Sequence, residues 1–179
     1  MKNYLKTAVA FTKKFGTTGA ISETSRFVEQ EITEFVKENT PQTIVEFGAG
    51  HGNITQMILS RMHPDSVLYS FELEAEFIPL LNLIQDKRLH VIHDSADNIL
   101  HKVKPHSVDV VVSSIPFTII PKEIGFSILS KTREALKPGG SFHQVLYSIQ
   151  IGRFEKHFSD VKIKPVLNFP VAFIHHCKK

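Results

Sequence analysis

The fold of this chain is decided at residues 43–52, which read TIVEFGAGHG. An apolar run that contains one acid, Glu46, leads into glycines at positions 48, 50 and 52. This pattern predicts a buried strand over residues 43–47, a glycine-rich turn, and a helix that begins near Asn53. Glycine is favoured in such a turn because it lets the backbone take positive φ angles and lets a ligand approach the main chain closely.

A second strand is predicted at residues 66–72, where an apolar run ends in Glu72. An acid at the carboxyl edge of an open α/β sheet can accept hydrogen bonds from both ribose hydroxyls of a nucleoside. Glu74 and Glu76 follow closely and are rival candidates for this role, but the position at the strand end favours Glu72. The sequence therefore predicts that a nucleoside-containing ligand binds at this edge.

Helical and extended patterns alternate through the rest of the chain. Strands are predicted over residues 43–47, 66–72, 88–93, 108–114, 141–148, 160–164 and 170–176. Helices are predicted over residues 2–15, 24–38, 53–62, 74–85, 95–101, 122–136 and 152–158. Residues 137–140, which read KPGG, indicate a helix stop and a turn before the fifth strand.

This alternation favours a single α/β domain with a seven-stranded, mainly parallel sheet and right-handed crossovers. The segment at residues 165–169 is too short for a helical crossover, so the last two strands are expected to form an antiparallel hairpin. We expect an N-terminal helical segment at residues 1–40 and the ligand-binding domain at residues 41–179.

Length and composition are consistent with one soluble domain. The 179 residues, of which 42% are hydrophobic, suffice for one substantial core. No apolar run approaches the ~20 residues needed to cross a bilayer, and the N-terminus lacks the pattern of a secretory signal. A single cysteine, Cys177, excludes an internal disulfide framework and fits a reducing cytosol. We expect a cytoplasmic protein whose net charge of +3 is compatible with anionic lipid or nucleic acid.

The glycine turn distinguishes between two classes of cofactor. Dinucleotide-binding proteins carry G-x-G-x-x-G, with a pyrophosphate at the helix N-terminus. This chain instead has E-x-G-x-G-x-G at residues 46–52, which resembles the first motif of class I S-adenosylmethionine-dependent methyltransferases. That resemblance implies the Rossmann-like methyltransferase fold, with S-adenosylmethionine as cofactor and S-adenosylhomocysteine as product. It also implies a set of residues around the methionine end and the ribose, namely Glu46, Gly48, Ala49, Gly50, Gly52, Glu72 and Leu73.

The third strand ends at an acid that has two interpretations. In the methyltransferase family an acid at this position often contacts the adenine amino group, which implies an adenine site at Asp94, Ser95 and Ala96. Alternatively, Asp94 or Ser95 simply caps the helix predicted over residues 95–101. Both interpretations stay open at the level of sequence, and one side chain can serve both purposes.

The exit of the fourth strand bears on the methyl acceptor. Methyltransferases that act on adenine amines carry Asn/Asp-Pro-Pro-Tyr or Asn-Leu-Pro-Tyr here, and residues 114–117 of this chain read SIPF. Ser114 replaces the amide or acid, and Phe117 replaces the tyrosine. A serine hydroxyl does not offer the bidentate edge that recognises an adenine amine, so the match to base methylation is weakened.

The chain as a whole resembles the bacterial phospholipid N-methyltransferases, a branch close to the rRNA adenine dimethyltransferases. The resemblance is carried by residues 19–25, 45–50, 71–73, 112–117, 137–140, 147–148 and 168–173. Ser114 is a departure, because that branch usually has glycine there. The helical domain that follows the sheet in the rRNA enzymes is not expected here. The resemblance implies a transfer site formed by Ser113, Ser114, Pro116, Phe117 and Tyr147.

Residues 2–15 are predicted to form a basic amphipathic helix with aromatic side chains opposite lysines. Such a helix can lie on an anionic membrane surface, where each lysine contributes ~1 kcal/mol, or it can pack on the domain as a lid. We therefore expect that the protein binds a phospholipid head group or membrane surface, as a peripheral protein on the cytoplasmic side, more than nucleic acid.

The preferred function is methylation of the phosphatidylethanolamine amine. An rRNA adenine or small-molecule amine methyltransferase is the first alternative, and a non-catalytic cofactor-binding or membrane-interaction protein is the second. No metal is expected. His175, His176 and Cys177 look like a metal cluster, but neighbouring residues on a strand point to opposite faces and chelate one ion poorly.

Overall fold

The computed structural model describes residues 24–179 as helices around one seven-stranded sheet in the order β3-β2-β1-β4-β5-β7-β6. Strands β1 to β5 pair in parallel, and β7 is antiparallel to both of its neighbours, β5 and β6. The predicted α/β class, strand number and antiparallel last hairpin are therefore confirmed. The strands are β1 Thr43–Phe47, β2 Val67–Glu72, β3 Leu89–His93, β4 Val108–Ser113, β5 Leu136–Leu146, β6 Asp160–Val166 and β7 Ala172–Lys178.

The helices follow the predicted order but several are shorter. They are α1 Arg26–Ile32, α2 Asn53–Arg61, α3 Ile78–Leu81, a 3₁₀ helix Ala96–His101, α4 Lys122–Ala135 and α5 Ile151–Phe154. The helix predicted over residues 74–85 was wrong in extent, since only one turn forms, Ile78–Leu81, with Pro79 in its first positions. The helix predicted over residues 95–101 is a 3₁₀ helix with non-helical backbone at Asn98.

Strand β5 begins earlier than predicted. The helix ends at Ala135 as expected, but the KPGG segment lies inside an irregular part of the strand, where Val108 pairs with Leu136 and Val110 pairs with Ser141. A Cβ atom on Gly140 would lie 3.0 Å from the Lys137 carbonyl oxygen. Glycine at this position therefore allows two backbone segments to approach closely within the bulge.

Two apolar clusters pack on the two faces of the sheet. Helix α1 contributes Val28, Ile32 and the nearby Val36 to one cluster, where they meet Ile44 of β1 and Val112 of β4. The described residues of the predicted N-terminal segment thus share a core with the sheet, while the boundary at residue 40 stays a prediction. The helix predicted over residues 2–15 lies outside the described residues.

The topology brings the predicted functional residues to one edge of the sheet. Because β1 to β5 run parallel, the glycine turn, Glu72, Asp94 and residues 114–117 all follow carboxyl ends of strands. This is the edge at which ligands bind in open α/β sheets. Within residues 24–179, no helix is long and apolar enough to cross a membrane.

Candidate active site at the carboxyl edge of the sheet

The glycine turn has the backbone that the sequence predicts. Gly48, Gly50 and Gly52 have φ angles of 77°, 51° and 87°, and α2 begins at Asn53. A Cβ atom on Gly48 would lie 3.0 Å from Ile115 Cγ2, whereas one on Gly50 would have no atom within 4 Å. Gly48 is thus required by the neighbouring loop, and Gly50 leaves open space above the turn.

Glu72 joins the end of β2 to the glycine turn. Its Oε2 accepts a hydrogen bond from Gly50 N at 2.7 Å, and its Oε1 accepts one from Glu74 N at 2.8 Å. The side chain is buried, yet a carboxylate has lone pairs for further donors. Of the three acids considered, Glu72 holds the turn and Glu76 is exposed to solvent. Leu73 follows it and is partly exposed, and Ala49 is buried in the turn.

Glu46 is a fully buried carboxyl group between β1, β2 and α2. Its Oε2 accepts hydrogen bonds from Thr55 Oγ1, at 2.7 Å, and from Ser70 Oγ. Its Oε1 has no hydrogen-bond partner among the residues that the structure describes. Burial raises the pKa of Glu46 to about 7, and the nearby Glu72 carboxylate adds to the rise. The Glu72 carboxylate, which bonds the turn, therefore disfavours an anionic ligand there, and the buried Glu46 lies close enough to interact with it.

The end of β3 resolves one part of the capping question. Ser95 is the residue that caps the 3₁₀ helix, because its Oγ accepts a hydrogen bond from Asp97 N at 3.2 Å. Asp94 Oδ1 accepts from Ser95 N and from Asn98 Nδ2, both at 2.7 Å. Ala96 is buried at the start of the helix. Asp94 is partly exposed at this edge and is therefore accessible to a ligand. Its contact with adenine stays a prediction.

The loop after β4 is fixed to the glycine turn by hydrogen bonds. Ser114 N donates to Phe47 O at 2.9 Å, and Ser114 Oγ donates to Gly48 O at 2.7 Å. The Gln144 amide on β5 donates to Ile115 O at 2.9 Å. Strand ends β1, β4 and β5 thus hold residues 114–117 in one position. Before this loop, Ser113 Oγ is buried without a hydrogen-bond partner within residues 24–179.

Phe117 lies in the core in this structure, although the sequence predicts an aromatic wall of the transfer site. Its ring is 0% exposed and makes edge contacts with Phe142 and Phe154 at centroid distances of 6.4 and 5.9 Å. The chain turns at the partly exposed Pro116 and directs the next side chain inward. Tyr147 is 42% exposed just beyond β5. The roles of these residues in transfer stay predictions.

Four residues contribute to the site that the sequence pattern did not single out. Gln144 positions the Ile115 carbonyl, and Thr55 with Ser70 holds Glu46. Arg153 donates to the Phe117 carbonyl and lies 6.0 Å from the centre of that ring. Only Thr55 had a usable signal, because a residue three positions into α2 faces the strand before the turn. The others depend on pairing between distant segments.

The histidines near the C-terminus do not gather into one site. His175 accepts a hydrogen bond from Gln150 N and packs on Phe154, whereas His176 lies on the opposite face, 3.2 Å from a Glu31 carboxyl oxygen. Cys177 is buried, and burial raises the pKa of its thiol. The alternation expected for a strand is confirmed. No group of three potential metal ligands occurs among residues 24–179.

Known proteins have similar sequences and folds. The family model of the methyltransferase small domain matches residues 15–164. An ornithine lipid N-methyltransferase from Singulisphaera acidiphila is 26% identical over 186 residues, which cover 99% of this chain and 97% of that protein.

Solved structures support the same fold. A protein from Clostridium thermocellum described as a presumed rRNA methylase has a TM-score of 0.63 at 21% identity, covering 87% of this chain and 97% of its own. A methyltransferase from Aquifex aeolicus that depends on S-adenosylmethionine has a TM-score of 0.66 at 12% identity, covering 93% of this chain and 97% of its own. At these identities, the likeness concerns the fold alone.

Proposed function

Since the chain belongs to the methyltransferase small domain family and is a class I S-adenosylmethionine-dependent methyltransferase, we propose that it methylates the amine of a membrane lipid head group. Phosphatidylethanolamine, including its partly methylated forms, is the preferred acceptor. The observation that carries the proposal is the loop at residues 114–117, which is fixed against the glycine turn by the bond from Ser114 Oγ to Gly48 O.

The residues around the turn fit the proposed cofactor. The Glu72 carboxylate bonds the turn through Gly50 N, which favours a ligand with a cationic ammonium and sulfonium over a dinucleotide pyrophosphate. Glu72 has lone pairs left for ribose hydroxyls, and the space above Gly50 leaves room for the methionine end. In this proposal Asp94, Ser95 and Ala96 border the adenine.

Methyl transfer from S-adenosylmethionine requires mainly that the protein position the acceptor amine. When bound, S-adenosylmethionine supplies a methyl group on a sulfonium, which is already a reactive electrophile. The protein must hold a neutral amine in line with that methyl group and keep water away. Ser114 and Ile115 are held next to the turn by hydrogen bonds. Their carbonyl oxygens and the Ser114 hydroxyl oxygen can accept hydrogen bonds from the amine N–H groups, which suits them to this positioning.

Two observations support a lipid rather than a nucleic-acid base as the acceptor. Ser114 uses its hydroxyl hydrogen on Gly48 O, so this side chain cannot present the paired donor and acceptor that recognise an adenine amine. The relative from Singulisphaera acidiphila is an N-methyltransferase of a lipid, ornithine lipid. Its name supports a lipid amine as the acceptor class and leaves the individual lipid to experiment.

The proposal is tested by offering the protein labelled S-adenosylmethionine with four separate acceptors. These are phosphatidylethanolamine vesicles, ornithine lipid vesicles, total rRNA, and a water-soluble amine such as ethanolamine. Label in the phosphatidylethanolamine product is the expected result. Label in ornithine lipid alone would keep the acceptor class but change the lipid, and label in RNA or in the free amine alone would overturn the proposal.

A further inference from the structure

Two loops at the carboxyl edge of the sheet expose large apolar side chains. The first, at residues 167–171, is the tip of the hairpin between β6 and β7, where Phe169 is 93% exposed and Leu167 is 71% exposed. The second, at residues 147–151, follows β5 and exposes Tyr147, Ile149 and Ile151. Together we call these two loops the apolar rim. Exposure of several such side chains at one place indicates a surface that becomes covered.

The apolar rim lies next to the candidate transfer site. Leu146, the last residue of β5, pairs with Phe173, and Val166, the last residue of β6, pairs with Ala172. Both loops therefore leave neighbouring strands at the edge that also carries the glycine turn. Within β5, Gln144 holds Ile115 of the loop after β4. A surface that covers the rim would thus cover the mouth of the acceptor site as well.

The charges around the rim suit an anionic surface. Neither loop contains an aspartate or glutamate, and Arg153 and Lys164 lie in the segments beside them. Lys164 is largely exposed, although its ammonium group is paired with Glu31 at 2.6 Å. The two loops thus expose apolar side chains with no acid among them that would repel an anionic surface, and exposed apolar side chains of this kind occur in protein segments that bind at the interface of a bilayer.

Ser25, which caps helix α1, is hydrogen-bonded to the hairpin tip of the apolar rim. Ser25 N donates to Asn168 Oδ1 at 2.9 Å, and Ser25 Oγ donates to Leu167 O at 2.7 Å. The sequence that precedes Ser25 carries lysines at positions 2, 6, 13 and 14. The hairpin tip is thus fixed to the start of α1, and its apolar side chains are held at the surface beside that helix.

We infer that the apolar rim is a membrane-docking surface, and that its tip inserts into the interface of a phospholipid bilayer. The inference rests on the proposed function in one respect: a head-group amine must reach the transfer site while its acyl chains stay in the lipid. Docking through the rim sets the carboxyl edge against the bilayer. The lipid can then present its amine to the loop at residues 114–117 without leaving the membrane.

The chain contains no tryptophan, so a single introduced tryptophan reports on one place. In Phe169→Trp, emission should shift to shorter wavelength when vesicles of phosphatidylglycerol and phosphatidylethanolamine are added, and lipids brominated on their acyl chains should quench it. Leu83→Trp is the matched control, since Leu83 is 74% exposed but leads into β3, the edge strand opposite β6. Its emission should not change.

Other occupants of the rim give different results in this experiment. A shift that is present without vesicles and independent of protein concentration would mean that the chain's own N-terminal segment covers the tip. A shift that grows with protein concentration would mean a second copy. Either result, or the absence of any shift with vesicles, would overturn the inference.

A loss-of-binding variant separates this inference from the proposed function. Leu167→Ser should weaken vesicle binding about tenfold or more, as expected when one leucine no longer inserts, whereas Leu83→Ser should bind like the unmodified protein. S-adenosylmethionine should bind with equal affinity to Leu167→Ser, Leu83→Ser and the unmodified protein. If Leu167→Ser binds vesicles normally, the docking surface is wrong, whatever the acceptor proves to be. If binding falls as expected but no lipid is methylated, the surface stands and the proposed acceptor fails.

Discussion

The Glu72 carboxylate holds the glycine turn through Gly50, whose main-chain nitrogen lies 2.7 Å from Oε2. The acid proposed to bind the ribose therefore also fixes the backbone that surrounds the methionine end. This relationship explains why an acid at the end of β2 accompanies three glycines after β1. It also means that replacing Glu72 changes the turn and the ribose site together.

The first prediction concerns Glu72→Ala. Loss of the carboxylate should weaken S-adenosylmethionine and S-adenosylhomocysteine binding by about 1–3 kcal/mol, because ribose hydroxyls lose their acceptor and Gly50 N loses its partner. Isothermal calorimetry measures the change. Glu76→Ala is the control, since Glu76 follows Glu72 closely in the sequence but is exposed to solvent. Equal affinity of Glu72→Ala and the unmodified protein would refute the ribose assignment.

The second prediction concerns stability and the buried Glu46. Its pKa rises from 4.5 to about 7 on folding, so the folded protein keeps a proton that the unfolded chain loses between these pH values. The free energy of unfolding should therefore fall by about 3 kcal/mol as the pH rises from 4.5 to 7. Urea unfolding at several pH values measures this slope. Glu46→Gln should flatten it, and an unchanged slope would show that Glu46 is not the titrating group.

The third prediction has the opposite sign and concerns His143. This ring is buried, stacks on Phe35, and lies between Ser141 Oγ at 2.7 Å and His176 Nδ1 at 2.9 Å. His176 in turn lies beside the Glu31 carboxylate of α1. Burial lowers the pKa of His143 to about 3, and the neighbouring His176 adds to the effect.

Between pH 6.5 and 3 the unfolded chain therefore takes up a proton at His143 that the folded protein does not. The stability that comes from the neutral ring is present above pH 6.5 and is lost as the pH falls, by about 4–5 kcal/mol in total. Acid unfolding followed by circular dichroism should be less steep in His143→Gln. A variant that unfolds with the same pH dependence as the unmodified protein would contradict this assignment.

The fourth prediction separates two roles of Phe117. Because the ring is buried, Phe117→Ala should cost about 3–5 kcal/mol of stability and is a poor probe of catalysis. Phe117→Leu keeps most of the volume and should cost less than about 1.5 kcal/mol. If the ring also closes the transfer site, this variant should lower the methylation rate about tenfold, or roughly 1.4 kcal/mol, with unchanged cofactor affinity.

The control for Phe117→Leu is Phe142→Leu. Phe142 belongs to the same aromatic cluster and undergoes the same substitution, but it lies on β5. Phe142→Leu should lose comparable stability and keep its rate. If both variants lose rate equally, Phe117 acts only through packing and is not part of the transfer site.

Local patterns carried much of the fold. The glycine turn, the strand at residues 43–47 and the start of α2 could be predicted because local sequence decides them: an apolar run, glycines that allow positive φ, and the end of a strand. The helix predicted over residues 74–85 was wrong because helical periodicity is only a local signal. It does not reveal that packing supports only the turn Ile78–Leu81.

The candidate site was predictable only where it follows strand ends. The topology brings Glu72, Asp94 and Ser114 together as soon as the sheet order is known. The burial of Phe117, the amide of Gln144 on Ile115 and the pairing of His143 with His176 depend on the register between strands far apart in sequence. A one-residue slip in any ladder would place these side chains on the other face, and the sequence pattern does not fix that register.

We propose above all that a methyl group is transferred to a lipid amine at this edge of the sheet. The most direct measurement is mass spectrometry of phosphatidylethanolamine vesicles after incubation with S-adenosylmethionine that carries a deuterated methyl group. Ser114→Asn should transfer the label about tenfold more slowly than the unmodified protein, because the larger side chain crowds the head group beside Gly48. The account predicts deuterated methyl on the head-group nitrogen. Lipid that stays unlabelled, while the protein binds the cofactor and labels RNA or a soluble amine, would contradict it.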